Sequence, residues 1–178
     1  MNSTEKVNFI SDWIKIYVDQ MPSKAESLVI GISGGIDSSV SSTLCAMTGL
    51  KTIVLSMPIK QKENQHDLSL KHQKWLVEKF KNVEAHTIHL DELFKSFSST
   101  LNKFDNEHGF ANSRARLRMT TLYQVAAANK GIVVGTGIKL RILVSDFIQN
   151  MEMVELIFHP SQIVIKQMFG KWVKNWVY

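Results

Sequence analysis

The sequence predicts an α/β fold in which helices cover both faces of a parallel sheet, in the Rossmann-like manner. Short apolar runs typical of buried strands alternate with segments that have the periodicity of amphipathic helices. Two of these runs end at glycine-bearing turns, residues 33–35 and 135–137. Because ligands bind at the carboxyl ends of parallel strands, we expect both turns to lie at the ligand-binding edge of the sheet.

The strands are predicted from short runs of apolar or strand-forming residues bounded by turn formers. The first run stops at Ser33-Gly34-Gly35, and Pro58 closes the second. The four predicted strands are Ser27–Ile32, Thr52–Leu55, Ala85–Leu90 and Gly131–Val134.

The helices are predicted from apolar residues that recur at helical spacing. They cover residues 4–20, Asp37–Met47, 65–80, Asp91–Phe97 and Ala111–Asn129. Leu68, Trp75, Leu76 and Phe80 form the expected inner stripe of helix 65–80, and the polar stretch Asn102–Gly109 is predicted as a loop.

Composition narrows the class of protein. The chain has 178 residues, enough for one domain with a sizeable core, and its formal net charge is +5. The basic residues are spread out, which predicts no nucleic-acid partner but suits an enzyme with phosphate-bearing substrates. The apolar runs are too short for a membrane span, and no signal peptide is evident. We therefore expect a cytoplasmic protein, in which the single cysteine, Cys45, packs in the core.

The stretch from Ser33 to Ser38 joins a predicted strand to a predicted helix. Its glycines let the backbone approach a ligand closely, and successive N–H groups at a helix N-terminus can bind phosphate oxygens. Asp37 suits this site if Mg²⁺ bridges it to the phosphates, whereas in a purely structural turn it would cap the helix.

This loop resembles that of the ATP-pyrophosphatase family, whose pattern is Ser-Gly-Gly-x-Asp-Ser. The stretch from Ala111 to Met119, with the following residues up to Gly137, is similar to the ammonia-dependent NAD synthetases. The resemblance covers nearly all of residues 1–137. It implies an adenine nucleotide alpha hydrolase-like fold and a ligase that converts deamido-NAD, ATP and ammonia to NAD, AMP and pyrophosphate through an adenylate.

The resemblance also implies site residues. Arg116 matches a position that contacts deamido-NAD, Thr136 matches one that contacts ATP, and Asp37 matches a Mg²⁺ ligand. The implied ATP-phosphate loop comprises Gly31, Ile32, Ser33, Gly34, Gly35, Ile36, Asp37 and Ser38. The resemblance further implies a homodimer. Because Arg114, Arg116 and Arg118 alternate along a helix, they cannot share one face, and we expect one of them to be structural.

Other functions remain open at this stage. Another ATP-pyrophosphatase, such as a tRNA-thiolating enzyme or a GMP synthetase, would share the loop. A thiolating enzyme usually needs catalytic cysteines, and GMP synthesis needs a different substrate segment. A third alternative is a non-catalytic nucleotide-binding remnant.

Residues 138–178 do not continue the resemblance, and no helix or strand period runs through them. Back-translation with one base restored after the Gly137 codon gives Asn-Lys-Val-Glu-Asp-Phe-Gly-Val-Gly-Phe-Tyr-Thr, which is the family's continuation. The shifted frame fits the single-codon residues Met151, Met153, Met168 and Trp172. We therefore interpret residues 138–178 as an out-of-frame tail after a truncated domain at 1–137. In the family, position 141 is a Mg²⁺-binding Glu, where this chain has Arg141, so the chain is expected to be inactive or impaired.

Overall fold

A computed structural model describes residues 3–60 and 63–136. The four strands are β1 (Ser27–Ile32), β2 (Lys51–Ser56), β3 (Val83–Thr87) and β4 (Gly131–Val134). The helices are α1 (Ser3–Asp19), α2 (Ile36–Met47), α3 (Glu63–Lys79), α4 (Asp91–Thr100) and α5 (Glu107–Ala128), with a short 3₁₀ turn at Asn102–Phe104.

The strands form one parallel sheet in the order β3-β2-β1-β4. Strand β1 occupies an interior position, with Ser27 in register with Lys51 on one side and with Gly131 on the other. Such crossed-over parallel pairing requires helical connections that return over the faces of the sheet. The predicted parallel sheet is confirmed.

Two apolar cores lie on opposite faces of the sheet. One packs α1, α2 and α3 against side chains such as Leu28 and Ile30, and it includes the buried thiol of Cys45. The other packs α4 and α5 against side chains such as Val29 and Ile53. Helices therefore cover both faces, as predicted, and β1 is apolar at successive positions because both of its faces are buried.

The predicted bounds of β3 and of the loop at 102–109 are wrong, and α4 extends to Thr100, beyond the predicted end at Phe97. Strand β3 is Val83–Thr87 and not Ala85–Leu90, because the backbone beyond Thr87 leaves the ladder, with the Leu90 N–H donating to the Pro58 carbonyl. The predicted loop 102–109 contains the 3₁₀ turn and the first residues of α5, which begins at Glu107. The side chain of Asn106 caps α5 by accepting a hydrogen bond from the Gly109 N–H at 2.8 Å.

The predicted inner stripe of α3 is correct at Leu76 and wrong at Leu68 and Trp75, whose side chains are 53% and 41% exposed. Polar residues take the inner positions instead. Buried Gln73 donates from Nε2 to the Val54 carbonyl at 3.3 Å and to the His86 carbonyl at 2.9 Å. Helix α3 is thus fixed to the sheet by satisfied polar contacts as well as by apolar packing.

The described residues include no helix that is both long and apolar enough to span a membrane. Gly137 and the whole predicted tail, residues 138–178, lie outside the described residues, so the interpretation of that segment stays a prediction.

Close packing at the start of β4 makes Gly131 a sensitive position. A Cβ atom there would lie 2.8 Å from the backbone oxygen of Ser27 and even closer to the Ser27 Oγ. That hydroxyl is itself held by donating to the Asn129 carbonyl at 3.0 Å.

We therefore expect Gly131→Ala to lower the free energy of unfolding by about 1–3 kcal/mol, the usual cost of overpacking a well-filled site. The measurement is chemical denaturation. Gly135→Ala is the matched control, because a Cβ atom at Gly135 meets nothing within 4 Å. Equal effects of the two substitutions would contradict the packing argument.

Candidate phosphate-binding site

The loop predicted to bind phosphate lies where β1 ends and α2 begins. Gly34 has a φ of 82°, in the left-handed region that favours glycine, and this residue turns the chain between strand and helix. A Cβ atom on Gly35 would meet the Ser33 Oγ at 3.4 Å, so the turn is also compact. The loop therefore occupies the carboxyl edge of the sheet, as the sequence predicts.

The buried hydroxyl of Ser38 holds the loop from the inside. It donates to the Gly35 carbonyl at 2.9 Å and accepts from the Ser33 N–H at 3.2 Å. Ser33 Oγ lies 3.2 Å away and accepts from the Gly35 N–H at 3.4 Å. Because its only proton is used within the loop, the Ser38 hydroxyl shapes the site in this conformation and is not a free donor for a ligand.

The opening of α2 supplies the groups that can face a ligand. Gly35 is the N-cap residue of α2, and no side chain caps this helix at that position. The first N–H groups of a helix have no partners within the helix, so those of α2 can donate to a ligand. Asp37 stands in this first turn, half-buried, and takes part in no ion pair within the described chain. Asp37 is therefore not the helix cap that a structural turn would require, and its carboxylate is available to a cation.

Strand β4 brings Thr136 to the same edge. Val134, the last residue of β4, is in register with Ile30, two residues before β1 ends at Ile32, so Gly135 and Thr136 follow β4 alongside the last residues of β1, just before the loop begins. Gly135 is exposed and Thr136 half-buried directly beyond the strand. The pairing of β1 with β4 thus brings Thr136 to the same edge of the sheet as the loop.

Gly31 differs from the other predicted loop residues because it lies within β1. A Cβ atom there would come within 3.2 Å of the Met57 Cε and 3.5 Å of a Leu122 methyl group. Glycine at this position lets α5 pack closely on the strand. The neighbouring Ile32 is buried in the core beneath the loop.

The three arginines of α5 have different environments. Arg116 is exposed and Arg114 half-buried. Arg118 is half-buried and donates from Nε to the Met57 carbonyl at 2.8 Å. Burial, and next the nearby charge of Arg114, lower the pKa of the Arg118 guanidinium. Arg118 is therefore the structural member of the set, while Arg116 remains accessible to a ligand.

One group of residues near the carboxyl edge was missed from the sequence. Lys60 follows β2 in a left-handed conformation (φ 45°), and its N–H donates to the Asp91 Oδ1 at 2.8 Å. A lysine four residues after the end of β2 at Ser56 could have been predicted as an edge residue, but its partner from a distant helix could not.

This combination of fold and loop is typical of α/β domains that bind phosphate-bearing ligands at a strand-to-helix turn. The sequence profile of the NAD synthase family matches residues 6–148, a range that includes the whole candidate site. The chain therefore belongs to the NAD synthase family.

Individual relatives agree with this assignment. The NH3-dependent NAD⁺ synthetase of Saccharolobus solfataricus is 34% identical over 142 residues, which cover 79% of this chain and 49% of that protein. The NMN synthetase structure from Francisella tularensis superposes with a TM-score of 0.71 at 30% identity, covering 83% of this chain and 59% of that one. For the NH3-dependent NAD synthetase of Campylobacter jejuni the TM-score is 0.69 at 26% identity, with coverages of 82% and 61%.

The chain spans about half the length of the curated relatives it matches. The predicted cytoplasmic location and the roles of individual site residues stay predictions.

The Ser38 contacts generate a stability prediction. Ser38→Ala leaves the Ser33 N–H without its side-chain partner and removes one donor to the Gly35 carbonyl, which still accepts from the Ser39 N–H and Oγ, so we expect the free energy of unfolding to fall by about 0.5–1.5 kcal/mol. Thermal or chemical unfolding measures it. Ser41→Ala, in the same helix but outside these loop contacts, is the control and should be nearly neutral. No difference between the two would show that the Ser38 hydroxyl does not hold the loop.

Proposed function

We propose that this chain carries the nucleotide-binding half of an ammonia-dependent NAD synthetase. One observation supports the proposal above all: the loop from Ser33 to Ser38 and Thr136 leave adjacent parallel strands at one edge, in a chain of the NAD synthase family. ATP would place its phosphates against the N–H groups at the start of α2. Arg116, exposed on α5, would contact an anionic group of deamido-NAD.

The proposed reaction has two steps. A carboxylate oxygen of deamido-NAD attacks the α-phosphorus of ATP, and the bond to pyrophosphate breaks. Ammonia then attacks the acyl carbon, loses a proton and displaces AMP, leaving the amide of NAD. In the first step the helix N-terminus and loop N–H groups would stabilise the charge that builds on the phosphate oxygens.

Magnesium fits the residues at this site. No group of three or more His, Cys, Asp or Glu side chains within the described chain forms a metal cage, whereas Asp37 offers one carboxylate beside the phosphate loop. Mg²⁺ is commonly held in this way, by one or two carboxylates together with the phosphates of a substrate. Bound there, it would neutralise phosphate charge, and Asp37 would be the residue of this chain that holds it.

The proposal includes the tail. If residues 138–178 are out of frame, the segment after Gly137 lacks the second carboxylate that the family places at position 141, where Arg141 stands. A cation there would repel Mg²⁺ and disturb the balance of charge around the triphosphate. We therefore propose that this chain binds ATP but forms no measurable NAD, as a nucleotide-binding remnant would. The homodimer implied by the resemblance is also part of the proposal, and sedimentation of the chain would test it.

A second substrate is favoured by one comparison. The NMN synthetase of Francisella tularensis superposes on this chain at 30% identity. The same amide-forming chemistry could therefore act on the acid form of NMN instead of deamido-NAD. Parallel assays of amide formation from the two acids distinguish these substrates. The mononucleotide lacks the adenylate half of the dinucleotide, so the chain should prefer the acid whose size its site accommodates.

The metal assignment predicts a magnesium-dependent effect. Asp37→Asn should remove most of the gain in ATP affinity that Mg²⁺ confers. We expect the dissociation constant of MgATP to rise about tenfold, which corresponds to a loss of about 1.4 kcal/mol in binding free energy. Affinity for Mg²⁺-free ATP should change little. Isothermal titration with and without Mg²⁺ measures both, and Asp12→Asn, an exposed carboxylate on α1, is the control. An unchanged magnesium dependence in Asp37→Asn would place the metal elsewhere.

The frame interpretation predicts a recovery of activity. The 178-residue chain should form no measurable NAD from deamido-NAD, MgATP and ammonium, since losing even one electrostatic contact to a transition state costs about a hundredfold or more. Restoring one nucleotide after the Gly137 codon should give a longer protein that forms NAD. Robust turnover by the 178-residue chain would show that the segment after Gly137 is not needed in its family form.

A further inference from the structure

A second pocket lies near the carboxyl edge, away from the phosphate loop. Its volume is about 410 Å³, and it lies where the end of α4, the 3₁₀ turn and the start of α5 meet. Lys60, Phe94 and Arg114 are among its lining residues. Because Arg114 and Arg116 are two residues apart on α5, their side chains project in nearly opposite directions. The pocket is therefore distinct from the surface on which Arg116 is exposed.

Two cations share one aromatic ring in this pocket. The Arg114 guanidinium carbon lies 5.4 Å from the Phe94 ring centroid, and the Lys60 Nζ lies 5.9 Å from it. The ring is 2% exposed and packs edge-on against Phe110. Each cation is attracted to the ring, and both positive charges belong to the lining of the same pocket.

Neither cation forms an ion pair within residues 3–60 and 63–136. Other lysines do: Lys130 pairs with Glu26 at 2.9 Å and Lys51 with Glu84 at 3.1 Å. The absence of a carboxylate partner at Lys60 and Arg114 leaves two positive charges facing the same pocket. An anion bound in the pocket would gain charge-assisted hydrogen bonds from them.

The backbone at Lys60 is held in a costly conformation. Its φ of 45° lies in the left-handed region, which costs a non-glycine residue about 1–2 kcal/mol. The Asp91 carboxylate fixes this conformation by accepting the Lys60 N–H. Glycine would avoid the cost, so a lysine here points to a use for its ammonium group.

We propose that Lys60 and Arg114 form a second anion-binding site, which holds the phosphate or carboxylate group of a small molecule. Asn102 also lines the pocket, and its amide can donate a further hydrogen bond. The site takes its cations from the connection after β2 and from α5, and none of its residues belongs to the loop after β1. This inference does not depend on the proposed function.

Two carboxylates limit how the anion can sit. Asp105 and Glu107 line the same pocket, and both are exposed. Their charges oppose an anion, so the ligand has to lie on the side of Lys60 and Arg114. Neutralising Asp105 by Asp105→Asn should therefore tighten anion binding, an effect opposite in sign to the loss of either cation.

The test is isothermal titration of the 178-residue chain with inorganic phosphate and, separately, with acetate, each paired with a thermal unfolding scan. Arg114→Gln and Lys60→Gly should each raise the dissociation constant of this site about tenfold or more. The ratio of the phosphate to the acetate affinity identifies which anionic group the site prefers. A response that both Arg114→Gln and Lys60→Gly weaken belongs to this pocket, because both residues line it and neither belongs to the phosphate loop.

Matched controls separate binding from structure. Lys130 has the same left-handed strain (φ 47°) far from the pocket, so Lys60→Gly and Lys130→Gly should raise the melting temperature alike, while only Lys60→Gly loses the phosphate response. Lys103→Gln removes an exposed neighbouring charge that does not line the pocket and should leave binding unchanged.

Three results would overturn the proposal. The first is a chain whose affinity for phosphate and acetate is the same before and after Arg114→Gln. The second is a lower melting temperature of ligand-free Arg114→Gln with its anion response intact, which would make the cations purely structural. The third is weaker binding by Asp105→Asn.

Discussion

The placement of β1 between two parallel neighbours is the constraint on which the rest of the molecule depends. Its central residues Leu28, Val29 and Ile30 have no measurable exposure, because helices cover both faces and strands cover both edges. With its faces and edges covered, the chain can continue from β1 only beyond the carboxyl end of the strand. The chain must then reverse into α2 within three residues, and Gly34 permits that turn. The same constraint that buries the core therefore creates the ligand-binding edge.

Local sequence was sufficient for the parts that this constraint governs. Strands β1 and β4 are short, mostly apolar runs that stop at glycine-bearing turns, so their positions and the loop between β1 and α2 could be predicted. Strand β3 was misplaced because Ile88 and Leu90 have strand-like side chains. Whether their backbone joins the ladder depends on how far β2 extends, since the Ile88 N–H donates to the Ser56 carbonyl at the last residue of β2. That information is not local.

Polar contacts across elements set the limit of sequence reasoning at the candidate site. Nothing near Gln73 in the chain indicates that its amide donates to two strands, so the stripe of α3 was predicted from apolar residues alone. The arginines of α5 show the same limit. Their spacing indicated that they could not act together, but only the Met57 carbonyl, 61 positions away, identifies Arg118 as the structural one. The hydrophobic periodicity of a sequence does not indicate which distant groups its long polar side chains will contact.

The distribution of charge separates the two edges of the sheet. At the amino edge, where strands begin, Lys51 and Lys130 are paired with carboxylates, at 3.1 and 2.9 Å. At the carboxyl edge Lys60, Arg114 and Arg116 make no ion pair within the described chain. Exposed pairs contribute little to stability, so this asymmetry matters more for ligands than for folding. Because the Asp91 carboxylate accepts the Lys60 N–H, and Asp105 and Glu107 line the same pocket as Lys60 and Arg114, this rim carries charges of both signs, and its cations act on a ligand locally.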